Sequence, residues 1–99
     1  MSRVRLDLNN PAFQEEWFNL EKTELFALNR AFKRLFKLEW EQLCSIKGLN
    51  WEQIKSKQTK FGYNLYSFRF SQKYRATAYR DGDFLVMLNL HVDHDSAYS

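Results

Sequence analysis

Hydrophobic residues change their spacing along this chain, from a period of about 3.6 in the first half to a period of about 2 in the second. Residues 3–8 alternate between polar and apolar and predict a short, half-buried strand. Residues 63–70, 73–80 and 84–92 alternate in the same way and predict three more strands. Between these regions the apolar residues recur at helical spacing, so helices are predicted there.

The predicted helices have recognisable start and stop signals. Asn10 is suited to cap a helix that has Pro11 at its first position. The longest helix should bury an apolar stripe made of Leu25, Leu28, Phe32, Leu35 and Phe36. The helical spacing continues through Trp40, Leu43, Cys44 and Ile46. Gly48 should end that helix, and the capping-box pattern of Asn50 and Gln53 predicts another short helix directly after it.

The order of these elements predicts an α+β fold in one domain spanning residues 1–99. An N-terminal strand and a C-terminal three-stranded meander form an antiparallel sheet, with the helices packed on one face. Asp81-Gly82-Asp83 is the hairpin signal, and a three-residue loop there keeps the helix-covered face free of charge.

Alternation sorts the strand residues into two faces of the sheet. The face predicted to lie under the helices contains Tyr66, Phe68, Phe70, Tyr74, Ala76, Ala78, Phe84, Val86, Leu88 and Leu90. The face predicted to be open contains Leu65, Ser67, Arg69, Lys73, Arg75, Thr77, Tyr79, Leu85, Met87, Asn89 and His91.

Charge is distributed unevenly, although the net charge is only +3. Residues 51–80 contain seven Lys and Arg against the single acidic residue Glu52, whereas residues 81–99 contain four Asp and two His. Arg69 and Arg75 on the open face suit a phosphate, because arginine binds phosphate in a bidentate manner. The alternative is that these arginines pair with Asp or Glu on other strands.

The C-terminal tail concentrates groups that transfer protons or bind metals. His91, Asp93, His94, Asp95 and Tyr98 lie within eight residues, and histidine is the side chain best suited to proton transfer near neutral pH. A metal site and a solvated tail without function are the alternatives. Alternation on a strand argues against the metal site, because it places His94 opposite to His91 and Asp93.

Composition excludes several classes of protein. Cys44 is the only cysteine, so no disulfide within the chain is possible. Three glycines form no phosphate-binding loop. The first five residues contain no apolar signal core, and no apolar run approaches the roughly 20 residues of a membrane span. We therefore expect a cytoplasmic protein without membrane contact.

The second half of the sequence resembles toxins of the RelE/ParE superfamily. Tyr66–Phe70 and Lys73–Tyr79 resemble the paired strands of these toxins, and Ile46–Leu49 resembles the helix end that precedes them. The spacing to His91, and on to His94 and Tyr98, also agrees with theirs. The resemblance implies a compact sheet with helices on one side and an antitoxin partner that wraps the toxin as a hetero-oligomer.

In the RelE-like branch, the resemblance further implies mRNA cleavage, usually at the ribosome, without a metal or cofactor. Arg75 matches the strand arginine that stabilises the scissile phosphate, and Tyr98 matches the tyrosine that orients or activates the RNA 2′-OH. His94 falls where some members have a basic tail residue, and His91 is a further candidate for proton transfer. Arg69 matches a flanking basic position. Further candidates for contacting RNA are Lys57, Lys60 and Lys73.

The sequence departs from the family pattern at four positions. Leu65 and Ser67 occupy positions where several members have lysine, and Asp93 and Asp95 add negative charge to the tail. These departures leave an alternative open, a non-catalytic or gyrase-poisoning ParE-like binding module on the same fold.

Overall fold

The chain folds into a five-stranded sheet with helices packed against one face. The computed structural model describes residues 2–59 and 61–92, without the side chains of residues 56–58. Along the chain the elements are β1 (Arg5–Asp7), α1 (Pro11–Phe18), α2 (Lys22–Leu35), the 3₁₀ helix (Trp40–Ser45), β2 (Glu52–Gln58), β3 (Asn64–Arg69), β4 (Tyr74–Asp81) and β5 (Phe84–Val92). The strand order is β1-β5-β4-β3-β2.

The predicted α+β class is confirmed, and two details of the predicted sheet are wrong. The sheet contains β2 as an additional edge strand, and β1 pairs with β5 in a parallel rather than an antiparallel direction. The other pairs, β2–β3, β3–β4 and β4–β5, are antiparallel. A parallel pair needs a long crossover connection, and three helices and three strands separate β1 from β5 along the chain.

The helices begin where local hydrogen bonding favours it. The Asn10 side-chain oxygen accepts a hydrogen bond from the Ala12 N–H at 3.0 Å, and Pro11 occupies the first turn. Helix α2 buries Leu28 and Leu35 completely, together with Phe32. The segment after it is helical as predicted, but forms a 3₁₀ helix that begins with a capping box of Glu39 and Gln42.

The predicted short helix after Gly48 is wrong, because residues 52–58 form strand β2. Asn50 has a φ of +47° instead of capping a helix. Trp51 stacks on Tyr66 with 5.1 Å between ring centroids, and the next residue, Glu52, pairs with Ser67. The capping-box pattern stabilises only a helix end, whereas residues 55–60 offer no apolar stripe that a helix could bury. Pairing with β3 therefore prevails.

A β-bulge in β5 changes the predicted distribution of side chains between the two sheet faces. The hairpin loop has two residues, since Asp81 pairs with Phe84, and Gly82 has a φ of +62°. Farther along, Thr77 pairs with Asn89 while Ala78 pairs with Met87, so Leu88 is the extra residue.

Because of this bulge, the predicted face assignment is wrong for the first half of β5 and right for the second half. Leu85 and Met87 were expected on the open face but are fully buried under the helices. Phe84, expected in the core, is 43% exposed, and Val86 pairs with Tyr79 on the open side.

The core lies between the helices and one face of the sheet. Its buried side chains are Val4, Phe13, Leu28, Ala31, Phe32, Leu35, Trp40, Leu43, Leu49, Phe68, Ala76, Ala78, Leu85, Met87 and Leu90. At the edge of β5, the Glu16 carboxylate of α1 accepts a hydrogen bond from the Leu90 N–H at 3.0 Å. Among the described helices, none is long and apolar enough to cross a membrane.

The bulge predicts unequal effects of truncating neighbouring residues. Met87→Ala should lower the free energy of unfolding by about 2–5 kcal/mol, because it opens a cavity in the core. Leu88→Ala, at a half-buried site, should cost about 1 kcal/mol. Chemical denaturation of both variants measures the difference. A larger loss for Leu88→Ala would contradict the observed register.

Candidate functional site

Three basic side chains lie side by side across the face of the sheet that the helices leave uncovered. Arg69 of β3 is directly opposite Arg75 of β4, and Arg75 is directly opposite His91 of β5. Directly paired residues of antiparallel strands project from the same face. We call Arg69, Arg75 and His91 the basic row. The bulge is essential to it, because the shift at Leu88 brings His91 opposite Arg75.

Arg75 is the anchored centre of the basic row. Its side chain is only 10% exposed. Its Nη2 donates hydrogen bonds to the Ser67 Oγ and to the Asn50 carbonyl oxygen, both at 2.8 Å. The Glu52 Oε1 lies 3.4 Å from the same nitrogen and also accepts a 3.3 Å hydrogen bond from the Ser67 hydroxyl. The guanidinium is therefore held in one orientation by two elements, β2 and β3.

This anchoring explains how two arginines can face each other. Like charges directly opposite on neighbouring strands destabilise a sheet. Glu52 offsets that repulsion in part, but its side chain is 63% exposed, so water weakens the attraction. The basic row therefore places two guanidinium groups and an imidazole on the uncovered face, with the Glu52 carboxylate of β2 beside Arg75. Such an arrangement suits an anion.

His91 has a hydroxyl partner that suits both of its protonation states. The Thr77 Oγ1 lies 2.7 Å from the His91 Nε2, and the His91 Nδ1 lies 3.4 Å from the Val92 carbonyl oxygen. The carbonyl favours a proton on Nδ1, so Nε2 of the neutral ring accepts from the Thr77 hydroxyl. A protonated ring donates to the same hydroxyl. His91 is exposed, so its ring can reach a bound molecule.

The other predicted site residues are distributed differently. Lys73 lies in the turn before β4 and lines cavities beside α2 with Glu24, so it does not join the basic row as alternation had suggested. Lys57 belongs to β2, and its side chain lies outside the described atoms. Lys60, His94 and Tyr98 lie outside the described residues, as do Asp93 and Asp95.

Two residues of the site were misread in the sequence. Ser67 counted only as a missing lysine, whereas its hydroxyl holds both Arg75 and Glu52. Glu52 was assigned to a helix, which hid its position on the strand next to Ser67. The single acidic residue among seven basic ones was the available signal. The alternative of an ion pair with an acidic residue is thus realised for Arg75.

Metal binding gains no support from the described part of the chain. Within residues 2–59 and 61–92, no group of three or more His, Cys, Asp or Glu side chains is arranged to hold an ion. Of the tail residues considered as ligands, only His91 is among them.

The contacts of Arg75 predict its contribution to stability. Arg75→Met should lower the free energy of unfolding by about 2–3 kcal/mol, because it leaves the Ser67 hydroxyl and the Asn50 carbonyl without their charged donor. Glu52→Gln should cost less than about 1 kcal/mol, because the Glu52 carboxylate is mostly exposed. Urea denaturation tests both values. Equal losses would show that the ion pair, and not the hydrogen bonds, holds Arg75.

Known protein structures share this arrangement of helices and strands. No protein-family model matches the sequence, and no curated protein sequence matches it. A chain from the archaeal RelE–RelB complex of Pyrococcus horikoshii OT3 is similar in structure, with a TM-score of 0.67 and 14% identity over 93% of this chain and 96% of that chain. A copper-bound mutant toxin from Helicobacter pylori has a TM-score of 0.55 and 13% identity, covering 96% of this chain and 98% of that chain. The chain therefore has the fold of RelE-like toxins.

Proposed function

We propose that this protein is the toxin of a toxin–antitoxin system and cleaves mRNA without a metal ion. The basic row is the observation that supports this proposal most directly. It places two guanidinium groups and an imidazole on three adjacent strands, on the face that the helices leave open. Phosphate binding and proton transfer are the two tasks that metal-independent RNA cleavage requires.

The proposed reaction is an internal phosphoryl transfer. The 2′-oxygen of a ribose forms a bond to the adjacent phosphorus, and the bond from phosphorus to the 5′-oxygen of the next nucleotide breaks. The proton of the 2′-OH passes to a base, and the leaving 5′-oxygen takes up a proton. The products are a 2′,3′-cyclic phosphate and a 5′-hydroxyl. Negative charge grows on the phosphoryl oxygens, where fixed positive groups are most effective.

Arg75 supplies a preorganised charge for this phosphate. Contacts to Ser67 and Asn50 fix its orientation before RNA binds, so little reorganisation is needed during the reaction. Arg69, directly opposite, adds a second charge at the same level of the sheet. Phosphate binding to the basic row would compete with Glu52.

His91 is the proposed proton-transfer group within the described chain. The Thr77 hydroxyl, 2.7 Å from its Nε2, positions the ring in either protonation state. We further propose His94 and Tyr98 as tail residues that act on the 2′-OH, on the basis of the resemblance to RelE-like toxins. We also propose that Lys57, Lys60 and Lys73 of the basic segment contact RNA outside the reacting group.

The proposed partners are an antitoxin, mRNA and the ribosome, all encountered in the cytoplasm. The structurally similar RelE chain from Pyrococcus horikoshii was solved as a RelE–RelB complex. An antitoxin bound over the uncovered sheet face would block RNA from the basic row. Such a toxin–antitoxin hetero-oligomer would store the toxin in an inactive form.

A second candidate function is a non-catalytic binding module on the same fold, such as a gyrase poison. One contact favours it. The buried Nη2 of Arg75 is already satisfied by protein acceptors, and Glu52 lies within ion-pair distance, which is also how a purely structural arginine is held. Under this alternative, the basic row stabilises the sheet and a different surface carries the activity.

A cleavage assay separates the two candidates. Incubated with mRNA and ribosomes, the protein should produce fragments ending in 2′,3′-cyclic phosphate, and EDTA should not change the rate. His91→Gln should lower the rate by about 10²-fold, the typical contribution of a general acid or base. Thr77→Val should lower it less, since the hydroxyl only positions the ring. Parent-like rates in both variants would remove His91 from the mechanism, and the absence of fragments from the parent would favour the binding module.

Toxicity is the prediction for the cell. Inducing the protein without its antitoxin should stop bacterial growth and the incorporation of amino acids within the same period. Arg75→Lys, which keeps the charge but loses the bidentate geometry, should relieve the arrest. Immunoblotting of the soluble fraction controls for loss of folded protein. Normal growth with abundant soluble parent protein would contradict the toxin role.

A further inference from the structure

A second basic site lies on the helix side of the molecule, next to the end of the basic row. A cavity of about 300 Å³ opens between α2 and the loop that follows the 3₁₀ helix. Arg30 and Arg34 of α2 line it, together with Arg69 at the end of β3. Its volume is at the lower end of the range for ligand pockets. No carboxylate-bearing residue of the described chain lines it.

Small residues create the space. Ala27 and Ala31 line the cavity from α2, and Gly48 lines it from the loop. Gly48 has a φ of +91°, a left-handed backbone conformation in which a side chain would be strained. A group entering the cavity thus meets the methyl groups of two alanines and the loop backbone, with Leu49 and Phe70 as further apolar lining and three arginines among the lining residues. Such an entrance suits a compact anion.

Arg30 and Arg34 are unfavourable neighbours in the absence of an anion. They lie four residues apart on α2, where like charges destabilise a helix by about 0.2–0.5 kcal/mol. Both are exposed, and neither forms an ion pair or side-chain hydrogen bond with another described residue. The negative end of the α2 dipole, about half an elementary charge, is small against these full charges. An anion placed between them would relieve their repulsion.

Arg69 connects this cavity to the proposed reaction site. It pairs directly with Arg75 in the basic row, and it also lines the cavity. A chain molecule lying across the basic row therefore meets Arg75 and Arg69, and at the end of β3 it reaches the cavity lined by Arg30 and Arg34. RNA has the regularly spaced anions that such a series of cations requires.

We propose that the cavity binds a second phosphodiester of the RNA strand, away from the phosphate that is cleaved. This proposal rests on the proposed nuclease function. Arg30 and Arg34 would hold the RNA strand near the end of β3 and set the direction in which the RNA crosses the basic row. They bind the ground state and the transition state equally, so they act on KM and not on kcat.

The test uses matched double variants. Arg30→Gln with Arg34→Gln removes two charges from the cavity. Lys33→Gln with Lys37→Gln removes two charges, also four residues apart, from exposed positions that do not line it. Binding of a short 2′-O-methylated RNA, which lacks the nucleophile, is measured by fluorescence anisotropy across a salt series.

The arginine pair should weaken binding about tenfold, the effect of one lost charge-assisted contact. It should also flatten the plot of log K against log salt by about 0.7, the value for one phosphate of a single strand. In the cleavage assay, KM should rise with kcat unchanged. The lysine pair should stay within about twofold of the parent. Equal losses in both double variants would show a diffuse effect of net charge and overturn the proposal.

A titration with inorganic phosphate separates this inference from the nuclease proposal. Phosphate should shift the NMR signals of the Gly48 and Leu49 amides in the parent and not in the arginine pair. If phosphate shifts these NMR signals but the parent does not cleave RNA, the nuclease proposal is wrong and the cavity is an anion site only. Cleavage with unchanged RNA binding in the arginine pair would sink this inference alone. If the arginine pair loses binding of an acidic peptide but keeps the parent's affinity for RNA, the cavity is a site for a protein partner and this inference is overturned.

Discussion

The β-bulge at Leu88 is the constraint on which both the core and the candidate site depend. A regular β4–β5 ladder with the observed two-residue loop could not place Leu85 and Met87 under the helices and also bring His91 opposite Arg75. One extra residue resolves the conflict, because it reverses the facing of β5 halfway along. The buried half of the hairpin then supports the fold, and its far half contributes to the basic row.

Arg75 shows how the sheet accommodates a buried charge. Removing a guanidinium from water is costly unless its donors find partners. Here the partners are the Ser67 hydroxyl of β3, the carbonyl of the left-handed residue Asn50 just before β2, and the exposed Glu52 carboxylate of β2. The edge strand β2 thus contributes to the candidate site as well as to the sheet. Its Glu52 and the preceding Asn50 hold the positive charge in place together with Ser67 of β3.

Sequence reasoning succeeded where one local signal decided the structure. Asn10 and Pro11 start α1 as expected, and the apolar stripe of α2 buries Leu28 and Leu35. It failed at Asn50–Gln53, where pairing with β3 outweighed a local capping pattern. It placed Arg75 with Asn89 and His91, but through a three-residue loop that does not exist. Alternation cannot reveal a bulge, because the pattern on each side of it looks regular. The roles proposed for His94 and Tyr98 remain predictions.

The hydrogen bond between Glu16 and the Leu90 N–H has a consequence for self-association. The short strand β1 pairs with β5 only from Phe84 to Val86, so within the described chain the rest of that edge has no strand beside it. An uncovered edge is a template on which a second molecule can add a strand and begin an aggregate. Glu16 occupies one of the donors that such a strand would need, and its negative charge would be forced against the incoming backbone carbonyls. A carboxylate on α1 thus disfavours polymerisation through this edge of the sheet.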